Sequence, residues 1–337
     1  MTTVDYFPIQ DLPTELEREI FETAAYMRPS SALDLVLVAR KVRTWIQPLI
    51  YEMVTLGTDD TSLFLRTMDE LPVAFFQQNV KRLCLTVSVE PEAAARILAT
   101  CSGLQSLACW VDFRAAHPQV QFSPLIASQH LRRLSMEIRH FRQLCRDPLC
   151  HGALFRSLTR LDLIYWEPGE LAVWELAALP CLTHLCIIIR DLPVTEAYLL
   201  SVISMCPSLN VMAVLIDEGA DPVPTRDWRI VWLPYPVMVL DWEAPFRGQE
   251  DTWSRAEDIV KSRERELANL PRLASRWKLI YFWRFGAQMD LKVLPITWSR
   301  HTVAKPELEF TWSLKRSSLH AGRPVPLCAR SQENVKR

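Results

Sequence analysis

A short apolar stretch recurs six times in the middle of the chain, and this repetition constrains the fold more than any other feature of the sequence. The copies occupy residues 80–85, 104–109, 131–136, 158–163, 182–187 and 209–214. Each copy begins 24 or 27 residues after the one before it. A period of this length indicates structural units that bury their apolar faces by stacking on one another.

The segments between these copies have helical character, at residues 91–101, 141–155, 170–179 and 194–206. An alternation of short strands with helices predicts parallel strands on one side of the molecule and helices on the other. Residues 51–56, followed by residues 61–69, are predicted to form an earlier unit of the same kind. The alternative is a non-repetitive α/β domain in which the spacing arises by chance.

The repeated units resemble leucine-rich repeats, a class that places Asn or Cys three residues after the second leucine of each strand. This chain has other side chains at those positions: Ser88, Asp112, Arg139, Trp166, Arg190 and Asp217. The resemblance therefore implies an irregular solenoid that lacks the usual polar ladder inside its turns.

The first fifty residues contain more apolar side chains than a small helical module can bury. Leu16 and Ile20 lie on one apolar stripe, in a helix whose first turns carry several glutamates. One or two short helices follow the break at Pro29, and Val42 and Trp45 continue the apolar spacing there. A surplus of apolar surface is typical of a docking site for another protein.

This segment resembles the F-box family, which opens with Leu-Pro-x-Glu-Leu, continues with an Ile-Phe or Ile-Leu pair and ends in a Val…Trp stretch. The matching residues are Leu12, Pro13, Glu15, Leu16, Ile20, Phe21, Val38, Val42 and Trp45. The chain departs from the family in the lead into the second helix, where residues 28–31 read Arg-Pro-Ser-Ser. The alternative is an ordinary helical hairpin that covers the rest of the protein.

The F-box resemblance implies a substrate-recognition adaptor that docks on the Skp adaptor of an SCF-type (Skp–cullin–F-box) ubiquitin ligase and, through it, on the cullin. The apolar patch for this contact is predicted at Leu12, Pro13, Leu16, Ile20, Leu35, Val38 and Trp45. For Trp45, a position facing the repeats is the alternative. The alternative function is a solenoid scaffold for protein–protein interactions with no ubiquitin role.

The exposed face of the predicted strands offers a surface for a protein substrate. In a Leu-x-Leu strand the leucines point inward, so the intervening residues point to the opposite face. This alternation selects Trp110, Glu137, Arg139, Asp162, Trp166, Arg190 and Asp217. Their mixed charge and two aromatic side chains favour a protein or peptide partner.

The sequence after residue 219 changes character, with closely spaced prolines and tryptophans. Strands are predicted at 229–233, 237–242 and 279–285, and a helix at 250–268, which together would cover the open end of the solenoid. From residue 315 the chain is polar and is predicted to be disordered. The predicted α/β organisation is an F-box-like helical module (8–50), a leucine-rich-repeat-like solenoid (51–218), a C-terminal cap (219–314) and a tail (315–337).

Composition argues against several other classes of protein. The net charge is −1, so no attraction to nucleic acid or to an anionic membrane is expected. No apolar run approaches the ~18–20 residues of a membrane span, and the N-terminus lacks the features of a secretory signal. The nine cysteines are therefore expected to be reduced thiols, in the cytoplasm or the nucleus.

The sequence contains no motif for catalysis or cofactor binding. None of the eight glycines forms a Gly-x-Gly pair, which excludes the common nucleotide-binding loops. Gly-x-Ser-x-Gly, His-Glu-x-x-His and Cys-x-x-Cys motifs are also missing. Cys84, Cys101, Cys186 and Cys206 occupy repeat positions, where cysteine behaves as a small buried apolar residue. We therefore expect no enzyme activity, no cofactor and no metal.

Overall fold

The strands of the repeated units form one parallel sheet. The computed structural model describes residues 12–113, 121–165, 174–189 and 194–285, with side chains described as far as residue 269. The strands pair in the order in which they occur in the chain. The eight described strands are β1 Met53–Leu56, β2 Arg82–Leu85, β3 Ser106–Cys109, β4 Arg133–Glu137, β5 Arg160–Tyr165, β6 His184–Ile189, β7 Val211–Ile216 and β8 Ile230–Pro234. The predicted α/β class with parallel strands is confirmed.

Twelve α-helices accompany the sheet in the described residues. They are α1 Thr14–Met27, α2 Ala32–Leu35, α3 Arg40–Ile50, α4 Thr58–Glu70, α5 Val73–Asn79, α6 Pro91–Thr100, α7 Phe122–Ile126, α8 Ile138–Arg146, α9 Ala153–Ser157, α10 Glu196–Met205, α11 Met238–Glu243 and α12 Thr252–Phe285. Helices α1–α3 precede the sheet, α4–α10 lie in the connections between strands, and α11 and α12 follow the last strand.

The pairing register follows the repeat found in the sequence. The fourth residues of the six copies lie side by side across the sheet: Leu83, Leu107, Leu134, Leu161, Leu185 and Met212. A pair of backbone hydrogen bonds repeats with the same period. The carbonyl oxygen of a residue just before a strand accepts hydrogen bonds from two backbone N–H groups of the next unit. Gln105 O accepts from Arg132 N at 2.7 Å and from Arg133 N at 3.2 Å. Each unit therefore satisfies backbone groups of its neighbour and fixes its position.

Both faces of the sheet are buried, as is usual for parallel sheets. At alternate strand positions, side chains such as Leu134 pack against α4–α10 in the larger apolar core. The intervening positions, including Cys186 and Leu215, form a second core with Trp242 and Trp253. The predicted alternation of inward leucines with residues on the opposite face is confirmed.

The chain after β8 crosses this second face of the sheet. Its contacts run from Arg82 of β2 through Arg133 of β4 and Arg160 of β5 to Ile230 of β8. We call residues 238–263, which make these contacts, the strap. This part of the chain was predicted to cover the open end of the solenoid, and it covers the strand face instead.

Several local predictions are wrong. Strands were predicted at 237–242 and 279–285, but residues 238–242 lie in α11 and residues 279–285 lie in α12. Short apolar runs do not distinguish strands from helices. The helix predicted at 141–155 is divided into α8, a 3₁₀ turn at Pro148–His151 and α9, since Pro148 cannot continue α8. The tail predicted at 315–337 lies outside the described residues.

Gly103 gives a test of how closely the units stack. It lies between α6 and β3, where a Cβ atom would be 1.9 Å from the carbonyl oxygen of Gln77. We expect Gly103→Ala to lower the free energy of unfolding by about 1–3 kcal/mol, measured by urea denaturation. Gly152→Ala is the control, because its Cβ would meet nothing closer than 3.8 Å. Equal stability of the two variants would contradict this expectation.

Candidate functional site

The first three helices form a small module with its own apolar core. Ala25 of α1, Ala32 of α2 and Val42 of α3 are buried in it. The rings of Phe21 and Trp45 pack beside this core with their centroids 6.4 Å apart. The core is made of few side chains, so much of the apolar surface of the helices stays outside it.

An ion pair between the exposed Lys41 and the buried Glu17 joins α1 to α3. Lys41 Nζ lies 2.6 Å from Glu17 Oε1, and Glu17 is only 4% exposed. Breaking such a pair would leave a buried charge without compensation, which is costly. The pair therefore ties α1 to α3 beside the small apolar core of the module.

Apolar side chains are exposed along α1 and after it. Seven of the sixteen large apolar residues that are exposed in the described structure lie between residues 16 and 38. They are Leu16, Ile20, Tyr26, Met27, Leu33, Leu37 and Val38. Such a concentration of exposed apolar surface indicates an interaction site.

The stripe on α1 lines an open groove of about 460 Å³. The groove is bordered by Leu12, Leu16, Glu19, Ile20, Thr23, Ala24 and Met27. These residues recur three or four positions apart and so share one face of the helix. The groove thus runs along the whole of α1, a length of about four turns.

Part of the patch predicted for the Skp adaptor is exposed in the structure. Four of its seven residues are exposed, namely Pro13, Leu16, Ile20 and Val38. Leu12 is half-buried at the groove, whereas Leu35 and Trp45 pack against the core of the module. The prediction missed Met27, although its spacing of seven residues from Ile20 could have placed it on the same face.

Three residues predicted to line an exposed strand face are covered. Trp110, Glu137 and Asp162 are all buried, so the expectation that they reach solvent is wrong. The alternation of the strands was predicted correctly, but the strap lies over the face to which these side chains point. Trp110 and Trp242 belong to the same apolar core there.

The other residues of the predicted substrate surface are placed differently. Asp217 follows β7 and is exposed, and its neighbour Glu218 is exposed as well. Arg139 is half-buried and forms an ion pair with the buried Glu137. Trp166 and Arg190 lie outside the described residues.

A row of basic side chains crosses the sheet beneath the strap. The row is formed by the first residues of β2, β4, β5 and β6, which are Arg82, Arg133, Arg160 and His184. The register aligns these positions across the sheet, and Ser106 of β3 interrupts the row. The three arginines of this row place positive charge on one face of the sheet. The strap supplies acidic and aromatic partners along that row.

Arg133 has the most complete set of these partners. Its Nε lies 3.4 Å from Asp162 Oδ2 on β5, and its Nη1 lies 3.4 Å from Asp251 Oδ2 on the strap. Its guanidinium carbon is 4.3 Å from the centre of the Trp242 ring. Arg133 therefore ties a strand to the strap through two carboxylates and an aromatic face.

A second group of charges fastens the strap further along the sheet. Glu257 Oε1 lies 2.9 Å from Arg160 Nη2 and 3.2 Å from His184 Nε2. Burial lowers the pKa of His184, and the charge of Arg160 lowers it further, while Glu257 acts in the opposite direction. At the edge of the sheet, Arg263 Nη1 donates to the carbonyl oxygen of Ile230 at 2.6 Å.

Beneath the strap, the carboxyl group of Asp162 has chemistry that resembles that of an active site. Burial raises the pKa of Asp162 to about 6, although Arg133 lowers it and the carboxylates of Asp241 and Asp251 add to the rise. Raised carboxyl pKa values are frequent in active sites. The cavity beside Asp162 has a volume of about 10 Å³, which holds about one water molecule. The arrangement is suited to fastening the strap, and it has no room for a substrate.

The described cysteines are all free thiols. Cys84, Cys101, Cys186 and Cys206 are buried, as predicted from their repeat positions. Burial raises the pKa of Cys101 to about 12, so this thiol is unreactive at neutral pH. Within the described residues, no group of three or more His, Cys, Asp or Glu side chains is placed to hold a metal ion.

No helix in the described ranges combines the length and the apolar character needed to cross a membrane. Neither the models of known protein families nor the curated protein sequences with which the chain was compared give a match. What the protein binds therefore has to be inferred from its own residues.

Replacing Arg133 should loosen the strap. We expect Arg133→Met to lower the free energy of unfolding by about 3–5 kcal/mol, because Asp162 and Asp251 would remain buried without their common partner. Urea denaturation followed by tryptophan fluorescence measures this change. Arg132→Met is the matched control, since Arg132 is the exposed neighbour in the sequence. An Arg133→Met variant as stable as the control would show that the strap does not depend on this cluster.

Asp162 should make the stability depend on pH. Its pKa is about 6 in the fold against an ordinary value of 3.8, so the native state binds more protons than the unfolded state between these values. The contribution of Asp162 to stability is then greatest below about pH 4 and falls as the pH rises to about 6. Relative to Asp162→Asn, the wild type should lose roughly 2–3 kcal/mol between about pH 4 and pH 7. Urea denaturation of both proteins across this range measures the difference, and a constant difference would refute the assignment.

Proposed function

We propose that the chain is the substrate-recognition adaptor of an SCF-type ubiquitin ligase, in which α1–α3 dock on the Skp adaptor. The observation that carries the proposal is the apolar stripe on α1. Leu16 and Ile20, which match the F-box pattern, are each 47% exposed. An amphipathic helix normally buries its apolar face, and the described part of the chain leaves this one open.

The repeated strand–helix units support the second half of the proposal, in which an irregular leucine-rich-repeat-like solenoid holds a protein substrate. Units that stack only on their neighbours form an extended and rigid surface, which suits a protein partner. Because the strap covers the strand face, the substrate would contact the carboxyl ends of the strands. Arg139 and Asp217, from the predicted surface, follow β4 and β7 at that end.

A short and well-fastened connection between the two parts favours this role. Only Tyr51 and Glu52 separate α3 from β1. The carbonyl oxygen of Glu52 accepts from Lys81 N at 3.1 Å and from Arg82 N at 2.9 Å, and Glu52 Oε1 also lies 3.0 Å from Arg82 Nη1. An adaptor acts by raising the local concentration of its substrate at an enzyme, so a fixed connection would hold the substrate at a constant distance.

Two substitutions on α1 test the docking role. We expect Leu16→Asp with Ile20→Asp to abolish capture of the Skp adaptor, because two charges would have to be buried against apolar surface. Both side chains are exposed in the free protein, so the fold should be preserved. The measurement is co-expression with the Skp adaptor, followed by pull-down and size-exclusion chromatography.

The matched control is Leu63→Asp with Val73→Asp. These side chains are exposed to a similar degree, at 52% and 54%, but they lie on α4 and α5. The control should capture the adaptor as the wild type does. A wild-type protein that is folded and ignores the adaptor would contradict the proposal and would favour the scaffold function without a ubiquitin role.

A further inference from the structure

The glutamates of α1 differ in whether they are paired. Glu17 pairs with Lys41, and Glu22 Oε1 lies 2.6 Å from Arg18 Nε. Glu15 and Glu19 form no ion pair with any described residue and are exposed. The helix thus neutralises two of its four glutamates and leaves the other two charged and open to a partner.

The two unpaired glutamates lie along the groove. Glu19 borders it directly, and Glu15, four residues earlier, lies one turn away on the same side of the helix. The groove therefore has an apolar floor and an acidic border.

We propose that α1 receives an amphipathic helix that carries Lys or Arg beside its apolar face, with these basic side chains placed against Glu15 and Glu19. This inference rests on the proposed function, in which that helix belongs to the Skp adaptor. The groove extends from Leu12 to Met27, which corresponds to roughly 24 Å of helix. A partner helix of about four turns matches this length and buries the stripe side by side with α1.

Charges at the border of an apolar site act mainly on the rate of association. They attract the partner over about one Debye length, which is ~10 Å at 0.1 M salt. They contribute little to the affinity itself once the apolar faces are in contact. The apolar stripe would hold the partner, and the glutamates would select and orient it.

The experiment compares association rates with the purified Skp adaptor for the full-length wild type, Glu15→Lys/Glu19→Lys and Glu15→Gln/Glu19→Gln. We expect the lysine variant to associate about tenfold more slowly at low salt, and the glutamine variant to lie between it and the wild type. The difference should disappear at about 0.5 M salt, where charges are screened. The dissociation rates should change much less.

The control is Glu70→Lys/Glu218→Lys, which makes the same change in net charge at two exposed glutamates outside the module. It should associate like the wild type. If it slows association as much as the lysine variant of α1 does, the effect comes from total charge and the inference is wrong.

Two further results separate this inference from the proposed function. If the adaptor binds the wild type and Glu15→Lys/Glu19→Lys equally fast, the acidic border has no role, while the docking function stands. If the adaptor does not bind the folded wild type, or still binds Leu16→Asp/Ile20→Asp, both the docking site and its acidic border are overturned.

Discussion

Arg133 lies where the strap meets the sheet, and its side chain is 12% exposed. A lone guanidinium at this depth would be strongly unfavourable, as would either Asp162 or Asp251 alone. Placed together, and with the Trp242 ring against the guanidinium, the cation lies within reach of both carboxylates. The apolar second core can close over the strand face because these charged groups are paired at its centre. The layered architecture of sheet, helices and strap depends on that pairing.

The repeat in the sequence was sufficient to predict the parallel sheet and its register, because each unit carries its own apolar anchors, such as Leu134 and Leu161. The strap could not be predicted in the same way. Asp162 and Glu137 are polar and interrupt apolar strands, so they read as residues facing water. The partner that covers Arg133, Asp251, lies 118 residues further along the chain. The periodicity of the sequence reflects contacts between adjacent units. It contains no information about a contact between residues so far apart in the chain.

The N-terminal helical module, α1–α3, shows a similar division. The spacing of Leu16 and Ile20 was enough to predict an apolar stripe on α1, since helical periodicity is a local property. Which of the module's other apolar residues face inward depends on how three short helices pack. Trp45 and Leu35 lie against the core, while Met27 and its surroundings stay open. An apolar residue in a short helix can either pack in the core or remain exposed at the surface, and only the packing of the three helices decides which.

The strap also fixes the number of strands that it crosses. It meets Arg82 of β2 near one end and Ile230 of β8 at the other. Adjacent strands are about 4.8 Å apart, so inserting or deleting one unit between these ends would move Arg133 out of line with Asp251. Open repeat proteins can gain and lose units by simple duplication or deletion. Here such an event would have to be matched by a change of length in the strap, so the number of strands is coupled to the length of a distant segment.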